Sequence, residues 1–188
     1  MNTVKKLTLC LLLLMQATFS FGASERCYPY LTFTKGFMKG EEEKDRFYEV
    51  SLGTTLASRT AIETFCLVQQ IDTAQSQNSE EQLALTAGLK ADVKLFKNAT
   101  LNPMIVGGIG QMFLLHARST DQSLQSNLSF YSSLATGFEI NIFDTVRIHV
   151  LSGYRFCPHR GLGCLERNAL SSPFSSISIR ALGHYASN

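Results

Sequence analysis

Hydrophobic residues along most of this chain recur at every second position, the period of a β-strand with one apolar and one small or polar face. From Phe47 to Ala57 the even positions are Tyr48, Val50, Leu52, Thr54 and Leu56, against Glu49, Ser51, Gly53 and Thr55. From Leu83 to Leu95 the odd positions are Leu, Leu, Ala, Leu, Ala, Val and Leu, and the even ones Ala84, Thr86, Gly88, Lys90, Asp92 and Lys94. Leu128 to Ile142 and Val146 to Phe156 repeat the alternation, with Glu139, Arg147, His149 and Arg155 on the polar side. Four further segments, Tyr28 to Phe37, Thr60 to Gln70, Leu101 to Arg118 and Phe174 to Tyr185, read as strands with poorer alternation. In the fifth strand apolar residues fall on both faces, and Gly107, Gly108 and Gly110 predict a bulge or a crowded interior. No segment after the first 22 residues keeps helical spacing for long.

Eight strands are therefore expected, and their connections have a rhythm. Long polar segments follow strands one, three, five and seven (38–46, 71–82, 119–127 and 157–172), and short turns follow two, four and six (58–59, 97–100 and 143–145). That asymmetry belongs to transmembrane barrels, whose turns are tight on one side of the membrane and whose loops lengthen on the other. A soluble up-and-down barrel of lipocalin type has the same strand number and stays as an alternative. The second face favours the membrane form. It is mostly Gly, Ala and Ser with a few charges, which suits a narrow lumen better than a water-facing wall.

The N-terminus supplies an address. Lys5 and Lys6, the apolar run Leu7 to Met15 and the small-x-small site Ser20-Phe21-Gly22 predict a cleaved signal peptide over residues 1–22, with the barrel domain occupying 23–188. The apolar run is about half the length of a spanning helix. Cys10 lacks the preceding small residue of a lipoprotein site. Composition agrees with an exported single domain: 45% of the 188 residues are hydrophobic, 17% charged, and the net charge of +2 forms no basic stripe, so nucleic acid is not expected as a partner.

Signal, strands and loop rhythm together resemble the small outer-membrane β-barrel superfamily of Gram-negative envelopes, the OmpA/OmpX/OmpW and opacity-like group, over most of Tyr28 to Tyr185. The resemblance implies an all-β, eight-stranded antiparallel up-and-down transmembrane barrel in the outer membrane of a diderm bacterium. It also implies a structural or surface-interaction role: membrane integrity, adhesion, or passage of small hydrophobic molecules. Implied partners are outer-membrane lipid, the barrel-assembly machinery during insertion, and a small hydrophobic ligand or a host surface molecule. The chain departs from the pattern at its end, Tyr185-Ala186-Ser187-Asn188, where such proteins usually finish on an aromatic residue. With no Trp in the sequence, an interfacial girdle would have to come from residues such as Tyr48, Phe130, Phe138, Phe143, Tyr154 and Phe156.

If the apolar faces meet lipid, Glu49, Lys90, Asp92, Lys94, Glu139, Arg147, His149, Arg155, Arg180 and His184 point into the lumen. Both signs are present, and a paired polar network filling the barrel is the expectation, ahead of an ion path. A hairpin centred on Asp144 places Glu139 opposite His149 and Asn141 opposite Arg147, which predicts Glu139 held by Arg147 and His149. Cys157 and Cys164 flank Pro158, Gly161 and Gly163 and form a candidate disulfide in the last loop, while Cys27 and Cys66 have no obvious partners. With His159 they offer three ligands, short of a structural zinc site, and no metal or cofactor is expected. A lipid-modifying enzyme of deacylase or acyltransferase type is the alternative from another class. Its candidates are His116, Ser119 and Asp121, without a recognisable motif, so no catalytic residue is assigned. The sequons at Asn98 and Asn127 are chance matches in a bacterial exported protein.

Overall fold

The computed structural model describes residues 28–39, 44–71, 82–96, 99–115, 128–158 and 170–183. The expected signal peptide, Cys27, His116, Ser119, Asp121, Cys164 and His184 lie outside them. Eight strands are seen: β1 (Pro29–Lys39), β2 (Lys44–Ala57), β3 (Thr60–Ile71), β4 (Gln82–Lys94), β5 (Leu101–Leu115), β6 (Leu128–Phe143), β7 (Val146–Phe156) and β8 (Ser172–Leu182). Each pairs antiparallel with its sequence neighbours, and β8 pairs with β1, closing the sheet into a barrel. Closure gives every strand two partners and leaves no edge. The connections at 58–59, 95–100 and 144–145, with the start of β1 and the end of β8, mark one rim, here called the turn end. The opposite rim is the loop end.

Two details differ from expectation, and a third selects between alternatives. The strict alternation of long and short connections fails at the first loop: β1 runs on to Lys39 and β2 begins at Lys44, because Met38 and Phe47 turn inward and extend the ladder through a segment whose charges read as loop. Of the two readings of the β5 glycines, the crowded interior holds and the bulge does not: the register runs unbroken against both β4 and β6, and a Cβ on inward Gly108 would lie 2.8 Å from Ser133 Oγ. Gly110 serves close approach of β4 and β5, while a Cβ on Gly107 would meet open space. A Cβ on Gly110 would strike the carbonyl of Ala87, and one on Gly88, its cross-strand partner, the carbonyl of Ile109. Irregularities occur elsewhere, at Thr55–Ala57 on β2 and Asn141–Phe143 on β6, each beside a two-residue turn.

Alternation decides the rest. In β1, Tyr30, Thr32, Thr34 and Met38 are buried while Phe33, Lys35, Phe37 and Lys39 are exposed. In β4 the exposed Leu83, Leu89 and Val93 alternate with buried Ala84, Thr86, Asp92 and Lys94. The poorly patterned β3 and β5 obey the same rule, because bulky apolar residues occupy their inner positions as well: Phe65 and Leu67 in β3, Met104 and Met112 in β5. Large rings inside are offset by absent side chains opposite. Phe47 lies over Gly36 and Tyr30 over Gly53, each ring filling the space of its cross-strand glycine.

Candidate functional site

The lumen is filled in tiers. Nearest the turn end, the carboxylate of Glu139 (β6) receives Lys94 Nζ (β4) at 2.7 Å, Arg147 NH1 (β7) at 3.3 Å and faces His149 Nε2 (β7) at 3.1 Å. Glu139 stands opposite His149 and Asn141 opposite Arg147 in the β6–β7 register, the pairing that the short turn dictates. Lys94 is the partner that no hairpin could indicate. It reaches Glu139 from a strand that is not paired with β6, and it is buried whereas the Arg147 side chain stays 25% exposed. Asn102 and Asn141 donate side-chain hydrogen bonds to the carbonyl of Ala99 at 2.9 and 2.7 Å, tying the β4–β5 turn across this tier.

The middle tier is a chain of alternating charges. Glu49 (β2) pairs with Lys90 (β4), whose ammonium also lies 4.0 Å from Glu63 (β3). Glu63 takes Arg180 NH2 (β8) at 3.5 Å, and Arg180 bonds Asp92 (β4) at 2.7 Å. Ser51 donates to Glu63 at 2.9 Å, and Arg180 Nε donates to Thr32 at 3.3 Å. The Arg180 guanidinium also stacks 4.0 Å from the centre of the Tyr30 ring, and Lys90 lies over Phe65. Four strands contribute, and opposite signs alternate along the chain, which is the condition under which charges tolerate burial. Glu63 was not among the residues anticipated. Its signal was the even-position run Ile62, Thr64, Cys66, Val68, obscured by inward Phe65 and Leu67.

Toward the loop end the filling turns apolar. Met38, Phe47, Phe65, Leu67, Ala84, Met112, Tyr131, Cys157 and Leu170 form one buried cluster, with Phe174 packed against it. Arg155 (β7) is buried within it, its guanidinium 4.7, 5.3 and 5.7 Å from the centres of Phe47, Tyr131 and Phe174. Arg155 NH1 donates to Gln69 Oε1 at 2.8 Å, and Gln69 Nε2 donates to Asp45 at 3.4 Å. Each of Glu49, Lys90, Asp92, Lys94, Glu139, Arg147, His149, Arg155 and Arg180 thus faces the interior. They divide among three sites: one around Glu139, one around Arg180 and Lys90, and Arg155 by itself among rings.

The arrangement leaves little open space. Between the middle tier and the apolar cluster the cavity measures about 30 Å³, the room of one or two water molecules. His149, oriented by Glu139, stands opposite Ser178 on β8, and Ser178 accepts a hydrogen bond from Thr34 at 2.9 Å. The cavity beside them is too small for a lipid or ester substrate. A larger hollow, about 300 Å³, sits at the turn end and is lined by Pro29, Leu31, Leu52, Ala181 and Leu182, without a titratable group beyond the phenol of Tyr30. Cys66 faces outward on β3 as a free thiol, and Cys157 is buried beside Leu170. The expected Cys157–Cys164 pair involves a residue outside the described set. Among the described residues no cluster of His, Cys, Asp and Glu could hold a metal ion.

Solved structures share this architecture. Neisserial surface protein A superimposes with a TM-score of 0.63 at 11% identity, covering 84% of this chain and 97% of that one. Outer membrane protein H of Pseudomonas aeruginosa, solved in DHPC micelles, gives 0.55 at 14% identity, covering 83% and 99%. The outer membrane protein OprG of the same organism gives 0.53 at 10% identity, covering 88% and 99%. The chain therefore has the fold of the small eight-stranded outer-membrane barrels, and at these identities the likeness is one of fold. No protein-family model and no curated protein matches the sequence.

Proposed function

We propose that the protein is an integral outer-membrane barrel, exported by its N-terminal signal, whose sealed lumen makes it a rigid scaffold with a structural or surface-interaction role. The observation that carries this reading is the outer wall. At the loop end it bears Phe37, Tyr48, Phe130, Tyr154 and Phe156, and at the turn end Tyr28, Phe96, Phe138 and Phe143, all exposed. Between the two aromatic belts lie Phe33, Val50, Leu89, Ile105, Ile109, Leu134, Val150, Ile177 and Ile179, also exposed. Phe130 and Phe143 on β6 are thirteen residues apart, roughly 40 Å along the strand and about 30 Å along a barrel axis tilted by some 40°. An aliphatic band of that height between aromatic girdles matches a bilayer and would precipitate a soluble carrier.

The filled lumen argues for a scaffold over a pore or an enzyme. Ion-paired tiers and an apolar plug fill the barrel, and neither of the two hollows described above combines substrate-sized volume with a nucleophile and base. In this reading the charge network holds strand register and the loop end carries whatever recognises a surface partner. The test is membrane fractionation with a heat-modifiability gel, followed by planar-bilayer recording of the refolded protein. The expected result is a detergent-requiring, heat-modifiable band and no sustained conductance steps. Release from the membrane by salt or carbonate would refute residence, and stable ohmic steps would refute the sealed lumen.

A further inference from the structure

Every neighbour pair in the ring except β8–β1 is joined by a connection of the chain. That seam runs from Tyr30 opposite Leu182 to Met38 opposite Phe174, and its inner face is mostly small: Thr32, Thr34 and Gly36 on β1, Ser176 and Ser178 on β8. Among the described residues, Arg180 is the one charged side chain that either strand turns inward. The ion pairs of Glu49 with Lys90 and of Glu139 with Lys94 and Arg147 join β2, β4, β6 and β7 to one another and leave the seam strands out. Arg180 brings β8 into the network. Its guanidinium reaches Asp92 on β4 at 2.7 Å and Glu63 on β3 at 3.5 Å, its Nε donates to Thr32 on β1 at 3.3 Å, and it stacks on Tyr30 of β1. The loop-end half of the seam is held differently, by Phe174 edge-on to Phe47 and by Met38 beside the Arg155 guanidinium.

A short turn keeps two strands close after their ladder opens, and a pair without one loses its partner on opening. The turn-end half of the seam has no such turn, whereas β2–β3, β4–β5 and β6–β7 are each closed there. Packing is also incomplete at that end. The hollow of about 300 Å³ lies on the seam, between Pro29 and Leu31 of β1 and Ala181 and Leu182 of β8, and its lining includes Tyr30, the ring on which Arg180 stacks. Across the lumen from this half of β1, the Tyr30 hydroxyl makes one long hydrogen bond, 3.3 Å to the carbonyl of Ile62. We propose that Arg180 is a latch for the turn-end half of the β1–β8 seam. Seated between Asp92 and Tyr30, it holds the closing strand to the far side of the lumen. When it leaves, that half of the seam parts while β2 to β7 stay joined, and the hollow becomes continuous with the lumen.

Hydrogen–deuterium exchange of the full chain refolded in zwitterionic detergent, read by mass spectrometry strand by strand, tests the latch. Arg180→Met strands the Asp92 carboxylate, whose bonded partner among the described residues is Arg180, and that variant alone could fail to fold for want of a counter-charge. Arg180→Met/Asp92→Asn removes both charges and isolates the loss of the tie. In the double variant, amides of residues 30–34 and 177–182 should exchange about 10-fold faster than in the unaltered chain, while those of β4 and β5 change by less than about 2-fold. The control Glu139→Gln/Lys94→Met, which removes an ion pair between strands away from the seam, should leave seam exchange within about 2-fold. Unchanged exchange at the seam, equal acceleration in every strand, or equal loosening of the seam by the control overturns the latch and leaves the outer-membrane reading standing. A double variant that forms no heat-modifiable barrel also overturns it, because Arg180 is then required for closure itself. An unaltered chain that forms no such barrel in any detergent or vesicle overturns both.

Discussion

The Glu139 tier makes the sharpest stability prediction. Glu139→Gln removes the carboxylate that pairs with Lys94, whose side chain is 6% exposed, and leaves that ammonium buried. Removing one member of a buried ion pair costs about 3–5 kcal/mol, because the desolvated partner keeps its charge. In Glu139→Gln/Lys94→Met neither charge remains, and the methionine fills the volume of the lysine stem. The double variant should therefore be more stable than Glu139→Gln alone, with a coupling of about 2 kcal/mol or more. Arg147→Ala is the contrast. Arg147 meets the same carboxylate oxygen at 3.3 Å but is 25% exposed, and Lys94 and His149 stay on Glu139 after its loss, so the cost should be about 1 kcal/mol or less. The measurement is urea unfolding of refolded barrel, read as the ratio of folded to unfolded bands on a cold gel. A double-variant loss equal to the sum of the two single losses within about 0.5 kcal/mol would mean that Lys94 and Glu139 do not interact, and the shear that brings β4 to β6 would be wrong.

Other faces of the barrel give independent outcomes. Leu89 is exposed in the aliphatic band, so Leu89→Arg should cost about 2–4 kcal/mol in the same unfolding assay, while Ser133→Ala on the lumen side should cost little; equal losses would invert the face assignment. Gly88→Ala places a methyl group against the carbonyl of Ile109 and should cost about 1–3 kcal/mol or prevent refolding; refolding yield and urea midpoint both read it, and an unchanged pair of values would contradict the close β4–β5 approach. Cys66, half-buried on the outer face, should be labelled by an apolar maleimide in lipid vesicles and spared by a charged one, with equal labelling by both counting against lipid contact.

The two-residue period is a local property, and it is enough to specify the strands, their faces and most of the inward charges. Leu83 to Leu95 displays this most clearly, because a strand exposed to lipid on one side and to a narrow lumen on the other needs contrasting residues at each step. Short turns extend the local information by one element. The two residues between β6 and β7 leave little choice of register, so the hairpin's own sequence places Glu139 opposite His149. Periodicity fails where the faces lack contrast. Inward Phe65, Leu67, Met104 and Met112 make β3 and β5 apolar on both sides, and Glu63 is hidden from the pattern for that reason.

Tertiary structure decided which charges meet. Lys94 and Glu139, or Asp92 and Arg180 separated by 88 positions, lie on strands that are not paired with one another, and their heights depend on how far each strand is staggered around the closed ring. Stagger accumulates over all eight strands and is fixed only when β8 finds its register on β1, so no single segment encodes it. Lys35 and Arg46 likewise are ordinary surface charges in the sequence, and they become neighbours on one wall only because β1 and β2 pair through a connection of residues 40–43 whose charges resembled a longer loop. Alternation told each side chain whether to face lipid or lumen, and closure of the barrel told it which other side chain it would find there.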